Sequence, residues 1–344
     1  MNSKLLFSID ENAWLTYVND PLPGWASRSF TLFDSPSARI DVPLSPGTTT
    51  VCSVPFDTTA STRAGARYAP RAIREASLAY SAQLKSRGAI ELRNMRTGEL
   101  LKTKELALAD FGDFHVYPSD PLKQIHATAA ETCRAMMLSD RLIMLGGEHS
   151  LSFASYCGVA SAMQAKKQRV PGYVQIDHHF DFGDTSVLHG KLYHGSNARR
   201  ISEHPGLAPG AMGFVGVGDL TSAVQYNSLI EAGMSIYSIA DIRHYGLERC
   251  LRETLDRVVT LSQEIYVSLD IDVCDTATAP GTGHVTIGGI NATELLSIAA
   301  ILREYPVVAL DIMEVSPRFD SSGATEHLAA RFLFEWLYLE KAGK

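Results

Sequence analysis

Eight short apolar runs, each bounded by turn residues, constrain this chain more than any other feature. They are VCSVP (51–55), LALAD (106–110), RLIML (141–145), YVQID (173–177), GFVGV (213–217), MSIYSI (234–239), IYVSLD (265–270) and VVALDI (307–312). Runs this short, apolar at consecutive positions and often β-branched, fit strands buried on both faces. Amphipathic stretches separate them, and helices are expected over 71–85, 119–138, 151–165, 223–232, 246–260, 292–303 and 325–340. The first follows Pro70, a favoured first-turn residue, and places Ile73, Ala76, Tyr80 and Leu84 on one side. Strand–helix alternation repeated this often predicts an α/β fold of three layers, α/β/α, around a mainly parallel eight-stranded sheet. No internal repeat, low-complexity tract or linker divides residues 46–344, which read as one domain. Residues 1–45 are irregular, with Trp14, Trp25, Phe30 and Phe33 between Pro and Ser. They read as an N-terminal arm packing on the body or on a neighbouring subunit.

Charge and cysteine usage narrow the function classes. The 344 residues carry a formal net charge of −7 with no basic block or stripe, which argues against nucleic acid as a partner. No uncharged apolar run is long enough to span a bilayer, and the N-terminus lacks a secretion-signal pattern, so no membrane partner is expected. The five cysteines (Cys52, Cys133, Cys157, Cys250 and Cys274) are odd in number and never at CxxC spacing. That usage fits the reducing cytoplasm.

In a parallel sheet, ligands bind beyond the carboxyl ends of the strands. Four of the runs are followed there by chemically loaded residues: Gly146–Ser150, Asp177–Asp184, Asp270–Asp275 and Glu314–Asp320. In Asp177-His178-His179-Phe180-Asp181, extended backbone turns Asp177, His179 and Asp181 to one face and His178 and Phe180 to the other. The same period aligns Asp270 with Asp272, and Gly146-Gly147-Glu148-His149-Ser150 delivers one imidazole on a tight turn. Four carboxylates and two imidazoles at one buried rim require neutralising cations. Two divalent ions meet that demand. An oxygen-rich donor set with some imidazole and no thiolate suits Mn²⁺, with Ni²⁺, Co²⁺ and Fe²⁺ as alternatives.

These residues resemble the ureohydrolases, the family of arginase, agmatinase, guanidinobutyrase and formiminoglutamase. GGEHS (146–150), DHHFD (177–181) and SLDIDVCDTATAPGTG (268–283) look like that family's three metal signatures, in the family's order. The likeness begins near VPFDTTASTRAGARYAPRAIREAS (54–77), runs through DIMEVSPRFD (311–320), and is closest to the agmatinase-like members. It implies an arginase-like fold and a hydrolase that cleaves a small guanidino compound to urea plus an amine. It further implies that His149, Asp177, Asp181 and Asp270 hold one ion and Asp177, His179, Asp270 and Asp272 the other, with Asp177 and Asp270 bridging. The ion pair would make a shared water nucleophilic near neutral pH. Glu314, in MEVSP, resembles the carboxylate that orients the guanidinium. His189, in His189-Gly190-Lys191-Leu192-Tyr193, resembles the histidine that shuttles protons at the mouth of the site, and His194 is the alternative. Family members assemble as trimers or hexamers, so an oligomer is expected.

Several positions depart from the family pattern. Gly183 stands where arginases keep an asparagine for the α-amino acid end of the substrate. Gly218 stands where agmatinases keep an arginine, and His284 replaces the threonine usual after GTG. His284 either lines the substrate pocket, crowding a long alkyl tail, or points to solvent. The departures resemble a branch acting on guanidine itself, substituted guanidines or biguanides, some of whose members use nickel. Two further readings remain: a single-zinc deacetylase on the same fold, and a non-catalytic subunit in a mixed oligomer with a related partner. All six metal-ligand positions are filled, which separates this chain from the last. Ser150 and Ser268 have no free base to activate them as nucleophiles, because His149 and the strand acids are assigned to metals.

Overall fold

The computed structural model describes residues 30–87, 91–208 and 210–341. All eight apolar runs become strands of one parallel sheet: β1 (Thr49–Ser53), β4 (Leu108–Asp113), β5 (Arg141–Leu145), β6 (Gly172–Ile176), β7 (Met212–Val217), β8 (Ser235–Ser238), β9 (Ile265–Asp270) and β10 (Val307–Met313). Their order is β4-β1-β5-β10-β9-β6-β7-β8. On entering β6 the chain skips two places beside β5, and β9 and β10 fill them later. Four strand ends far apart in sequence thereby become neighbours, β5, β10, β9 and β6 standing side by side.

Helices cover both faces: α1 (Ala69–Arg87), α2 (Pro121–Leu138), α3 (Ser150–Lys167), α4 (Asn197–Ser202), α5 (Ala223–Glu231), α6 (Ile239–Tyr245), α7 (Leu247–Ser262), α8 (Ala292–Leu302) and α9 (Ala324–Tyr338). The strands divide their side chains between two apolar cores. Val174, Ile176, Val267, Leu269, Leu310 and Ile312 point to the face covered by α1, α7, α8 and α9. Tyr173, Met144, Phe214, Tyr266 and Met313 point to the face covered by α2 and α3. This is the three-layer arrangement expected from the sequence.

Differences lie at the periphery. The short helices α4 and α6 were not anticipated. The expected helix over 325–340 stops at Tyr338, where the chain turns into β11 (Leu339–Lys341). β11 pairs antiparallel with β3 (Leu100–Thr103), which pairs with β2 (Glu91–Arg93) in a separate small sheet. Cross-strand pairing thus takes the last residues of a helical pattern.

Of the N-terminal arm, residues 1–29 with Trp14 and Trp25 lie outside the described residues. From residue 30 the arm packs on its own chain. The Leu32 N–H donates to Asp110 Oδ2 (2.8 Å), the Phe33 N–H to Ser77 Oγ (2.8 Å), and both side chains are buried. Asp110 is the anchor of this corner. Its two oxygens also receive Arg74 Nε (2.9 Å) and Nη2 (2.8 Å), while Arg74 Nη1 reaches Asp113 (3.1 Å).

Candidate metal centre

The neighbouring ends of β5, β9 and β6 bring His149, Asp177, His179, Asp181, Asp270 and Asp272 together. One ligand atom from each of His149, Asp177, Asp181 and Asp270 lies within 4.8 Å of the others, and the same holds for Asp177, His179 and Asp272. Asp177 belongs to both groups. Asp270, expected to bridge, falls in the first group only. Its Oδ1 accepts the Asp272 N–H (2.8 Å), leaving Oδ2 toward His149 (3.1 Å).

The local backbone differs from the extended geometry expected. β6 ends at Ile176, and Asp181 reaches the cluster through a left-handed backbone (φ 45°). Asp270 and Asp272 are brought together by a 3₁₀ turn over Ile271–Val273, capped by the Asp270 side chain. A non-glycine residue at positive φ costs free energy, so the surrounding packing must hold it. Phe180 supplies part of that hold, its ring edge-on to Phe214 at 5.3 Å.

Hydrogen bonds fix which nitrogen of His149 faces the carboxylates. Ser268 Oγ donates its single hydrogen to Asp311 Oδ1 (2.6 Å), so it accepts from His149 Nε2 at 2.9 Å. The ring proton therefore sits on Nε2. The Nδ1 lone pair is left facing Asp181 (2.9 Å), Asp270 (3.1 Å) and Asp177 (3.3 Å). A lone pair aimed at three carboxylates is repulsive unless a proton or a metal ion stands between them. Asp177 is braced in a similar way: Tyr173 donates to Gln175 Oε1 (2.9 Å), and Gln175 Nε2 donates to Asp177 Oδ2 (2.7 Å).

The titration behaviour records the same negative field. Burial works against a charged His149, yet Asp177, Asp181 and Asp270 raise its pKa well above the usual histidine value. Burial and the neighbouring Asp272 and Asp177 push Asp270 well up. Burial, followed by Asp177, pushes Asp272 up to about 6. Asp272 Oδ1 is also buried without a hydrogen-bond partner. The donor set fits divalent cations.

Glu314 borders this cluster. It has a left-handed backbone (φ 61°), and its Oε1 accepts the His149 N–H (2.9 Å) and faces His194 Nδ1 (3.3 Å). Burial opposes a charged His194, but Glu314 raises its pKa to about 9. The structure places the two histidines left open by the sequence differently. His194 is buried against Glu314 and Ser61, with its Nε2 2.7 Å from Ser61 Oγ. His189, favoured on its motif, sits in the turn closed by Ser186 and Gly190, and among the described residues no hydrogen bond or ion pair ties it to the cluster. A five-residue hairpin carries it outward.

His284 does not point to bulk solvent. Its ring lies 5.1 Å from that of His179 and stacks on His194 at 5.7 Å. Burial and those two imidazoles hold its pKa below the usual value. The glycine departures are also explained by space. A Cβ at Gly183 would meet the Tyr193 hydroxyl at 2.0 Å, and one at Gly218 would meet the His178 ring at 2.2 Å. Tyr193 and His178 occupy the room a larger side chain would need.

A model of the arginase family matches residues 48–338. This chain belongs to the arginase family. Human mitochondrial guanidino acid hydrolase is 32% identical over 288 residues, covering 83% of this chain and 76% of its own. Guanidinobutyrase from Pseudomonas aeruginosa is 29% identical over 285 residues, 83% of each chain. The solved structure of proclavaminate amidino hydrolase from Streptomyces clavuligerus matches with a TM-score of 0.73 at 26% identity, over 90% of this chain and 95% of that one. Arginase-family members are amidinohydrolases that cleave C–N bonds of guanidino compounds at binuclear metal centres, and this chain is an enzyme of that class.

Residues that hydrogen-bond to the cluster or its supporting side chains and that sequence reasoning passed over include Ser61, Gln175 and Asp311. Asp311 carried a signal, being an acid in the middle of an otherwise apolar run. Ser61 carried none, because its partner His194 is 133 residues away.

Proposed function

We propose that this arginase-family enzyme hydrolyses a small guanidino compound to urea and an amine at two divalent cations held by His149, Asp177, His179, Asp181, Asp270 and Asp272. The observation that carries this reading is the His149 Nδ1 lone pair facing three carboxylates at 2.9–3.3 Å. The oxygen-rich donor set favours Mn²⁺, with Ni²⁺ the alternative. When bound, such ions supply a water acidic enough to act as nucleophile near neutral pH and a positive field for the developing charge.

The protein's own groups do the rest. Glu314 Oε1 is committed to the His149 N–H and His194, and its other oxygen accepts from the guanidinium and orients the electrophilic carbon. His194, paired to that carboxylate and buried at the mouth, hands a proton to the departing amine. Asp272 and His179, 3.2 Å apart, would hold one ion together. The reading includes a cytoplasmic location, in keeping with five free thiols. It also includes a homo-oligomer, a trimer or hexamer. Among the described residues no helix is long and apolar enough to cross a membrane.

Urea release from a guanidino panel, measured with Mn²⁺ and then Ni²⁺, together with metal content per chain, tests this. Two ions per chain with urea produced is the expected result. No urea from any compound, or fewer than two ions per chain, would overturn this reading.

A further inference from the structure

One exposed tripeptide between β1 and α1 holds the His194 imidazole and the backbone just before His284. The Ser61 N–H and Oγ both reach His194 Nε2, at 3.1 and 2.7 Å. Thr62 Oγ1 donates to the Gly283 carbonyl (3.2 Å). Arg63 Nε donates to the same carbonyl (3.1 Å) and Nη2 to that of Thr282 (3.0 Å). The Arg63 guanidinium is itself fixed over the Phe319 ring at 4.2 Å. The strap from Ser61 to Arg63 therefore clamps the loop before His284 and the ring of His194 at once.

The His194 and His284 rings stack nearly parallel, at 29°, and His284 continues across to His179. His284 thus bridges from an imidazole of the metal cluster to the imidazole paired with Glu314. The guanidinium carbon must lie between the cluster and Glu314. With the guanidinium held there as proposed, the His284 ring stands beside it, between the rings of His179 and His194.

We propose that His284, positioned by the Ser61–Arg63 strap, is a tail-length filter. It admits guanidine and guanidines with short substituents, and it excludes the longer tails of guanidino acids and of agmatine. The filter rests on the proposed guanidino-hydrolase reading and adds the substrate class. His284 acts by occupying space, and Arg63 and Thr62 are positioning residues that act through it.

The test compares the wild type with His284→Ala and Arg63→Ala, each loaded with metal. Guanidine, methylguanidine, 4-guanidinobutyrate and agmatine serve as probes, with two readouts: dissociation constants by calorimetry, and kcat/KM for urea release. The wild type is expected to favour guanidine and methylguanidine. His284→Ala should shift the ratio toward the long compounds by on the order of tenfold or more, the discrimination typical of a small steric change in a pocket. Arg63→Ala should shift it in the same direction by a smaller factor, because the loop loses two carbonyl contacts while the ring remains. A wild type that already prefers agmatine, or ratios unchanged in both variants, overturns the filter while leaving urea release intact. A shift in binding selectivity without urea from any compound upholds the filter and removes the hydrolytic reading.

Discussion

His149 shows how a buried imidazole is prepared for a metal by groups that never touch the ion. Asp311 takes the Ser268 hydrogen, Ser268 takes the His149 Nε2 hydrogen, and the free lone pair is aimed into the acids. Ser268→Ala removes the acceptor and lets the ring choose its proton. Metal affinity is then expected to fall by roughly ten- to a hundredfold, as for other outer-shell changes. Competition against a chromogenic chelator measures this, and an unchanged affinity would show that the tautomer is set elsewhere. The two candidate shuttles are separable at the same scale. His194→Ala is expected to lower kcat by about 10²-fold or more, the usual contribution of a positioned acid–base group. His189→Ala, in its outward hairpin, should stay within a few-fold. The reverse pattern would restore the motif-based choice.

At the scale of elements, strand order decides what was legible. The eight runs declared themselves because strands buried on both faces have few polar positions to blur the pattern, as in GFVGV. The residues of the acid and imidazole cluster were legible for a related reason: chemically loaded residues directly after several parallel strands gather at one rim. What the sequence concealed was shape. Asp270 and Asp272 look like alternate residues of a strand, yet a 3₁₀ turn brings them together. β2 and β3 were missed because Glu91, Arg93 and Lys102 interrupt any apolar pattern. Ser61 stayed hidden because a contact spanning 133 residues leaves no local trace. The corner around Arg74 was equally hidden, since α1 reads as an ordinary amphipathic helix. Arg74 is buried and neutralises Asp110, which also ties down the arm at Leu32. Arg74→Met leaves Asp110 charged in the interior, and roughly 3–5 kcal/mol of stability should be lost. Denaturant unfolding reads it, and a loss below about 1 kcal/mol would mean that Asp110 finds water once Arg74 is gone.

For the whole molecule, the acid cluster is expected to tie stability to bound ions. Burial and Asp177 raise the pKa of Asp272 from the ordinary 3.8 to about 6 in the metal-free protein. The folded chain then holds that proton more tightly than the unfolded chain does. By linkage this part of the stability is present below the unfolded value and is lost as pH rises toward about 6. Asp270, also raised, contributes with the same sign, while Asp177, held low by His149 and His179 despite burial, contributes with the opposite sign at lower pH. Bound ions reverse the balance, because they need these carboxylates ionised and displace the protons. Metal at a hundredfold excess over its dissociation constant adds about 2.7 kcal/mol per site. The dissociation constant itself tightens as pH rises through the same interval. The gap in Tm between metal-loaded and chelator-treated protein is therefore expected to widen steadily from about pH 5 to pH 7, through the displaced protons. Scanning calorimetry at matched free-metal concentration would show it. A gap of constant width would mean that the stabilising ions sit on groups already ionised at pH 5, away from Asp270 and Asp272.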